Sequence, residues 1–385
     1  MNPITAFVET VPLLTRPSGI ANYVAGLLAE FGRQPDAVRC ITGLASGKPA
    51  RQAALEAVCR ELAPGIGFVR VPCPNRLAVA WPRLAGRLAR PACPAVDIAH
   101  ATANSFASWL PPQARARVLT IHDVVYLRHR GGAFCDPQFE ARMAARLPGD
   151  CQAADLVLTD SEFSKAEICE LLHLPPAKVA VACLASSLEA AARQDPAADA
   201  AAATGAARPF LLYVGTIEPR KNIAMLLDAF ASFRQSQSDA RLVMVGKVGW
   251  RGQELLARLR GMPGVEYREG CGAAVLAQLY RQAQGTLLVS RYEGFGLPVL
   301  EAMGLGCPVC YGSGSSMGEI AAEAGIQVSP DDRDAMVAAM RTFWGDEARC
   351  RQLRESGLAR AARFTLAATA AATVAGYRAA LERVS

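Results

Sequence analysis

Two glutamates eight positions apart, Glu293 and Glu301, lie in the stretch VSRYEGFGLPVLEAMGLGCPV at 289–309. An apolar run ends at Val289–Ser290, and Glu293 enters a tight Gly-Phe-Gly turn. Gly294 and Gly296 free the backbone for positive φ and for close approach to a ligand. Pro298 suits the first turn of a helix, where its missing N–H costs nothing. The start of that helix offers unbonded N–H groups and partial positive charge, which attract an anion such as phosphate. Two carboxylates beside an anion site cannot be there to bind the phosphate. Their chemistry suits hydroxyl groups, so a sugar and a ribose are natural ligands. The spacing excludes a glycosidase pair: eight residues along a helix is roughly 12 Å, beyond both the ~5 Å of a retaining pair and the inverting range.

A second cluster, Gly215-Thr-Ile-Glu-Pro-Arg-Lys-Asn222, follows the buried strand pattern Pro209–Gly215. Asn222 reads as the N-cap of the next helix, which places Arg220 and Lys221 at a helix start. An anion such as phosphate bound at that helix start would bring negative charge with it. A divalent metal or fixed cations must stabilise it. An arginine fork and a lysine point charge are available here, so the site is expected to work without a metal or cofactor. In the N-terminal half, Gly19 stands at a strand–helix turn. His122 ends the buried run VLTIHD, at the carboxyl end of a strand. Asp160 or Ser161 reads as the N-cap of helix Lys165–Leu172. His100, His129 and His173 form no ligand set by spacing.

Alternating strand and helix patterns position these groups. Strands are expected at Ile4–Thr10, Val38–Thr42, Gly67–Val71, Asp97–Ala99, Arg117–Ile121, Leu156–Thr159 and Val179–Val181, with a helix at Ile20–Phe31. A second set runs through helix Asn222–Phe233, strand Arg241–Val245, helix Gly252–Arg260, strand Val265–Arg268, helix Ala274–Ala283, strand Thr286–Ser290 and the apolar run Pro308–Tyr311. Such alternation means parallel sheets wrapped by helices. The stretch Ala190–Ala207 has no apolar period and reads as a linker. At 385 residues, two domains are the prior.

Half the chain is hydrophobic and 20% charged, with net charge +6. That balance fits anionic small molecules or an anionic membrane surface and is too weak to argue for nucleic acid. The twelve cysteines are scattered, and their single C-x-x-C, Cys307–Cys310, lies in an apolar run. They read as reduced, mostly buried small hydrophobes rather than metal ligands. Arg76–Ala92 carries an apolar helical face flanked by Arg76, Arg83, Arg87 and Arg90, a pattern that suits an interfacial basic helix or a core helix with solvated arginines. Neither a basic signal sequence nor an apolar run of membrane-spanning length is evident, so a cytoplasmic protein is expected.

The 289–309 stretch resembles the E-x7-E signature of retaining GT-B glycosyltransferases, in particular the bacterial mannosyl- and glucosyltransferases of family 4. The segment Gly215–Asn222 is similar to the family's G-T-x-x-x-R-K-N, and Ile121-His122-Asp123 and Asp160–Ser164 have family counterparts too. The resemblance covers essentially the whole chain. It implies an α/β GT-B fold, with two Rossmann-like doubly wound domains facing each other across a cleft. An acceptor-binding domain would occupy 1–190 and a nucleotide-sugar domain 208–365, with helix 366–385 packing back on the first. It further implies that Arg220 and Lys221 hold the donor pyrophosphate, that Glu301 binds the ribose and that Glu293 holds hydroxyls of the transferred sugar. Gly215 and Gly294–Leu297 (including Phe295 and Gly296) would line the donor site, Gly19 would leave room for phosphate and acceptor, and His122 would lie near the reacting carbon. The wording of the motifs resembles the branch that uses GDP-mannose in O-antigen or exopolysaccharide synthesis. The acceptor would be a polyprenyl-diphosphate-linked glycan at the inner face of the cytoplasmic membrane. A UDP-sugar donor, a non-hydrolysing sugar-nucleotide epimerase and an inactive GT-B partner subunit are the alternatives.

Overall fold

The alternating pattern becomes two parallel sheets in the computed structural model, which describes residues 3–15, 18–44, 49–70, 94–104, 113–193 and 209–384. One unit comprises Met1–Val124, Ala141–Ala185 and Thr365–Ser385, the other Val125–Glu140 and Ser186–Phe364. The chain therefore enters the second unit briefly after the His122 loop, before its main crossing.

The first sheet has strands β1 (Ile4–Val8), β2 (Val38–Leu44), β3 (Gly67–Arg70), β4 (Val96–Ala101), β5 (Ala114–Thr120), β6 (Leu156–Thr159) and β7 (Val179–Val181). Their order is β3-β2-β1-β4-β5-β6-β7, all parallel. Phe7, Ile98, Val118 and Val157 are fully buried, as strands covered on both faces require. The order reverses between β1 and β4, where ligands of doubly wound sheets bind beyond the carboxyl ends. Helix Gly19–Arg33 starts after Ser18, whose Oγ accepts the Ala21 N–H at 3.2 Å. The terminal helix Leu366–Val384 packs on β4, β5, β6 and helix Gly19–Arg33. Its Tyr377 hydroxyl meets His100 Nδ1 at 2.8 Å, and Thr369 Oγ1 donates to the Cys183 carbonyl at 2.7 Å.

The second sheet has β8 (Phe210–Val214), β9 (Arg241–Val245), β10 (Val265–Arg268), β11 (Gly285–Leu288), β12 (Val309–Gly312) and β13 (Ile326–Val328), ordered β10-β9-β8-β11-β12-β13 and again parallel. Leu211, Phe230, Phe233, Met244, Leu287 and Met340 lie in one buried cluster. The reversal here falls between β8 and β11, so the loops that follow these two strands are neighbours. They are the two motif segments, Gly215–Asn222 and Val289–Gly296.

Several expected boundaries move. β1 ends at Val8 rather than Thr10, and β11 spans Gly285–Leu288 rather than Thr286–Ser290. Ala190–Arg193, expected in the linker, close a helix Leu188–Arg193; residues 194–207 of that linker lie outside the described residues, as do Arg76–Ala92. None of the ten described cysteines is in a disulfide, and six are buried. Among the described residues no helix is long and apolar enough to cross a membrane.

Candidate functional site

The β8 loop begins with a close backbone approach. A Cβ on Gly246, after β9, would lie 1.9 Å from the Gly215 carbonyl oxygen, so the two strand ends can meet only with glycine at 246. Beyond Gly215, Pro219–Lys221 form one turn of 3-10 helix. Asn222 departs from the expected cap. It takes a left-handed conformation, φ 59°, and makes no capping bond. Its amide instead donates to the Val289 carbonyl at 3.2 Å and the Pro330 carbonyl at 2.7 Å, which pins the β8 loop to the β11 loop. A backbone bond from Arg291 N–H to the Arg220 carbonyl, 2.9 Å, reinforces the join.

This junction brings Arg220, Lys221 and Glu293 into contact. Lys221 Nζ lies 2.5 Å from Glu293 Oε1, and Arg220 Nη1 lies 3.1 Å from Oε2. Ser290 Oγ donates to Glu293 Oε1 at 2.7 Å, and Ser316 Oγ donates to the Glu293 carbonyl at 2.8 Å. Glu218 binds the other side of the Arg220 guanidinium at 2.8 Å, and Arg220 Nη1 also donates to the Tyr292 carbonyl at 3.0 Å. Burial alone would push the Glu293 carboxyl up. The Lys221 ammonium, the Arg220 guanidinium and the donated hydrogen bonds outweigh it and hold the group at about 2. Lys221 moves the other way: burial and the Arg220 charge lower it, against the pull of Glu293. The contact therefore favours the carboxylate, which has two cations, more than the ammonium, which has a cation for a neighbour.

Gly296 starts the next helix, Leu297–Gly304, with Pro298 in its first turn. Its φ is +97°, and a Cβ there would meet Met317 Cγ at 2.9 Å, so glycine is required on both counts. Phe295 is buried, edge-on to Phe364 with centroids 6.0 Å apart. Glu301 stands one turn into the helix and accepts the Tyr280 hydroxyl at 3.1 Å. Burial pushes its carboxyl up to about 7 despite that bond. A pocket of about 310 Å³ is lined by Ser186, Leu188, Glu189, Leu300, Glu301 and Phe364, among others. Glu301 thus faces open space, whereas Glu293 is enclosed by its partners.

In the first unit, Gly19 is the exposed first residue of its helix. His122 follows β5 and is buried. Asp160 Oδ2 is 2.8 Å from its Nδ1, and the Thr102 carbonyl is 2.9 Å from its Nε2. Its backbone N–H donates to Asn104 Oδ1 at 2.7 Å, and the Tyr23 ring lies edge-on with centroids 5.2 Å apart. Burial disfavours the imidazolium, but the Asp160 carboxylate outweighs it and raises His122 above its ordinary value. Ser161 is the helix cap, accepting the Ser164 N–H at 3.0 Å in helix Glu162–Leu172. Asp160 is not a cap; it belongs to His122. His100 sits in the core between the Tyr377 and Thr120 hydroxyls, and burial and nearby His122 lower it to about 3.

Sequence reasoning missed Glu218, Ser290, Ser316 and Tyr280 as partners of the site. Glu218 and Ser290 lay within the quoted motifs and could have been named. Ser316 and Tyr280 come from distant segments with no spacing signal. The expectation of a metal-free site also passed over one Asp-x-Asp spacing, Asp332–Asp334. Asp332 caps helix Arg333–Gly345 by accepting the Ala335 N–H at 2.8 Å, and Asp334 pairs with Arg333. Among the described residues no group of three His, Cys, Asp or Glu side chains is placed to hold a metal ion.

The family description "Glycosyltransferase Family 4" matches residues 17–184, and "Glycosyl transferases group 1" matches residues 208–346. The O-antigen chain mannosyltransferase B of Escherichia coli is 30% identical over 282 residues, which take in 70% of this chain and 72% of that one. The serotype-specific mannosyltransferase WbdA of Escherichia coli is 37% identical over 116 residues, 29% of this chain and 14% of that one. Among solved structures, sucrose-phosphate synthase from Thermosynechococcus elongatus superposes with a TM-score of 0.71 at 20% identity, covering 97% of this chain and 98% of that one.

Proposed function

This chain belongs to the group 1, family 4 glycosyltransferases, and from that premise we propose that it moves mannose from GDP-mannose to a hydroxyl of a lipid-linked glycan, with retention at the anomeric carbon. Its two Rossmann-like units are those of the GT-B fold. The observation that carries the reading is the contact of Arg220 and Lys221 with Glu293 at the strand-order reversal of the second sheet. Cations for a diphosphate and a carboxylate for sugar hydroxyls are what a nucleotide-sugar site needs, and they stand side by side. The choice of mannose is supported by the Escherichia coli relative, named for mannosyl transfer in O-antigen chains.

In the proposed mechanism Arg220 and Lys221 hold the pyrophosphate and stabilise its developing charge. Glu293 exchanges part of its pairing for hydroxyls of the transferred sugar. The backbone N–H groups of Phe295–Leu297 assist, and Glu301 takes the ribose hydroxyls. Gly215 and Gly294 let the backbone approach the donor, and Gly19 leaves room beside the phosphate and acceptor. His122 is assigned to the transferred sugar. The acceptor oxygen bonds to the anomeric carbon as the bond to the leaving phosphate breaks on the same face, and that phosphate takes the acceptor's proton. No metal is required. A lipid-linked acceptor would bring the chain to the cytoplasmic face of the membrane, and the basic sequence 76–92 is proposed for that contact.

A thermal-shift screen of GDP-mannose, GDP, UDP-glucose and UDP, with and without chelator, tests the reading, because the preferred ligand stabilises the native state. GDP-mannose is expected to give the largest shift, unchanged by chelator. A larger shift with UDP-glucose replaces the donor. A strict need for Mg²⁺ or Mn²⁺ overturns the metal-free site, and neither binding nor hydrolysis of any nucleotide sugar overturns the activity. Glu293→Ala and Lys221→Ala should each abolish transfer; full activity in either removes the role assigned to it.

A further inference from the structure

His122 has an acceptor at each ring nitrogen. The Thr102 carbonyl oxygen, 2.9 Å from Nε2, can only accept, and so can an ionised Asp160 carboxylate, 2.8 Å from Nδ1. A neutral imidazole has one N–H and one lone pair. In this position either tautomer would point its lone pair at an oxygen lone pair, in a site where His122 is 8% exposed and Asp160 3%. One extra proton removes the clash. Imidazole is the stronger base of the two by about 2.6 pH units, which places that proton on the ring.

We infer that Asp160 is a positioning residue that keeps His122 doubly protonated through the neutral range, so that the ring serves as a fixed, oriented cation rather than as a proton acceptor. Burial opposes both charges and holds Asp160 above its ordinary value, while the Asp160 contact raises His122 against it. Glu9, at the end of β1, accepts the Thr102 N–H at 3.2 Å, so Thr102 links a second buried carboxyl to the same ring. Asp123, next in sequence, adds a further negative charge that favours the imidazolium. His100 on β4 is held neutral by burial, its ring bonded to Tyr377 and Thr120. Tyr23 on helix Gly19–Arg33 packs edge-on against the ring, its hydroxyl 3.3 Å from Thr120 Oγ1 and well above its ordinary acidity range because of burial. From helix Glu162–Leu172, Ser164 Oγ donates to the His122 carbonyl at 3.4 Å. Asp160 and Asp123 favour the ring as the cation of the group, and Glu9, raised to about 7 by burial, adds its negative charge only above that pH.

With both N–H groups committed, His122 has no lone pair to take a proton from an acceptor hydroxyl. The leaving phosphate is then the group that must take it. This consequence rests on the proposed transfer reaction; the protonation state does not.

The chain has four histidines, so selective ¹⁵N-histidine labelling of the full-length protein gives a readable spectrum. Long-range ¹H–¹⁵N correlations at pH about 8, well above the ordinary ~6.5 of histidine, should show one residue with both ring nitrogens protonated, assigned by its absence in His122→Gln. In Asp160→Asn the same residue should show one unprotonated nitrogen. The transfer rate of that variant should fall between about tenfold and a hundredfold, the scale of a lost charge-assisted hydrogen bond. An unprotonated nitrogen on His122 in the parent protein at that pH overturns the inference, whether or not the variant folds. Binding of GDP-mannose in the parent is measured separately, so failure of the donor reading and failure of the protonation state are told apart.

Discussion

Removing Glu293 and removing Lys221 should have unequal effects on stability, although the two residues share one ion pair. Glu293 accepts from Lys221 at 2.5 Å, from Arg220 at 3.1 Å and from Ser290 at 2.7 Å. Its carboxyl drops from 4.5 to about 2, which at about 1.36 kcal/mol per pH unit corresponds to about 3 kcal/mol of stability. Lys221 has Glu293 and, more weakly, Glu218 to set against burial and the Arg220 guanidinium, and its ammonium is disfavoured on balance. Glu293→Gln keeps the volume and leaves two buried cations with Glu218 as their remaining carboxylate. It should destabilise the second unit by about 3 kcal/mol, a fall in melting temperature of roughly 6–12 °C for a unit of this size. Lys221→Met leaves Glu293 paired with Arg220 and relieves the repulsion between the cations, so its effect should be under about 1 kcal/mol. Urea unfolding of parent, single and double variants near pH 7 measures both effects and their coupling. The sign with pH is set by the lowered carboxyl. The contribution is complete above 4.5 and is lost as pH falls through about 2, so the parent and Glu293→Gln should converge there. Equal losses in the two single variants at neutral pH, or a loss under about 1 kcal/mol for Glu293→Gln, would refute the reasoning.

Glu9 and Glu301 carry the opposite sign. Burial raises each from 4.5 to about 7, so each contributes stability below 4.5 that is lost as pH rises through about 7. Glu9→Gln and Glu301→Gln should each flatten the decline of the urea midpoint across that window, and an unchanged slope in both would contradict the burial argument. Gly296→Ala places a side chain at φ +97° and within 2.9 Å of Met317 Cγ. Calorimetry should find it destabilised by about 1–2 kcal/mol, and parent-like melting would show that the turn can relax. Tyr377→Phe removes the hydroxyl at His100 Nδ1. It should lower the stability of the first unit by about 1–3 kcal/mol, the range for leaving a buried polar group unpaired; an unchanged unfolding midpoint would mean that water replaces the hydroxyl.

Much of this protein is legible without coordinates. The apolar runs that became β6, β7, β9 and β10 have the boundaries their residues imply, because a short β-rich run between turn residues is a local signal. Ser161, one of the two caps the sequence offered, marks its helix start for the same reason: a cap bonds within its own turn. The residue types of the site, Arg220, Lys221, Glu293 and Glu301, were also visible, since glycines and a proline mark the turns that carry them. Asn222 shows where local reasoning stops. Its type fits a cap, yet its amide is taken by carbonyls 67 and 108 positions away. Asp160 likewise looks like a cap beside Ser161 until β5 and β6 pair and bring His122 to it, 38 positions back. Sequence alone determined the elements, the turns and the chemical groups on offer. Tertiary structure decided which groups meet, because strand order is set by packing across the whole sheet and by no local pattern. By placing β8 beside β11 it brought Lys221 to Glu293, 72 positions on.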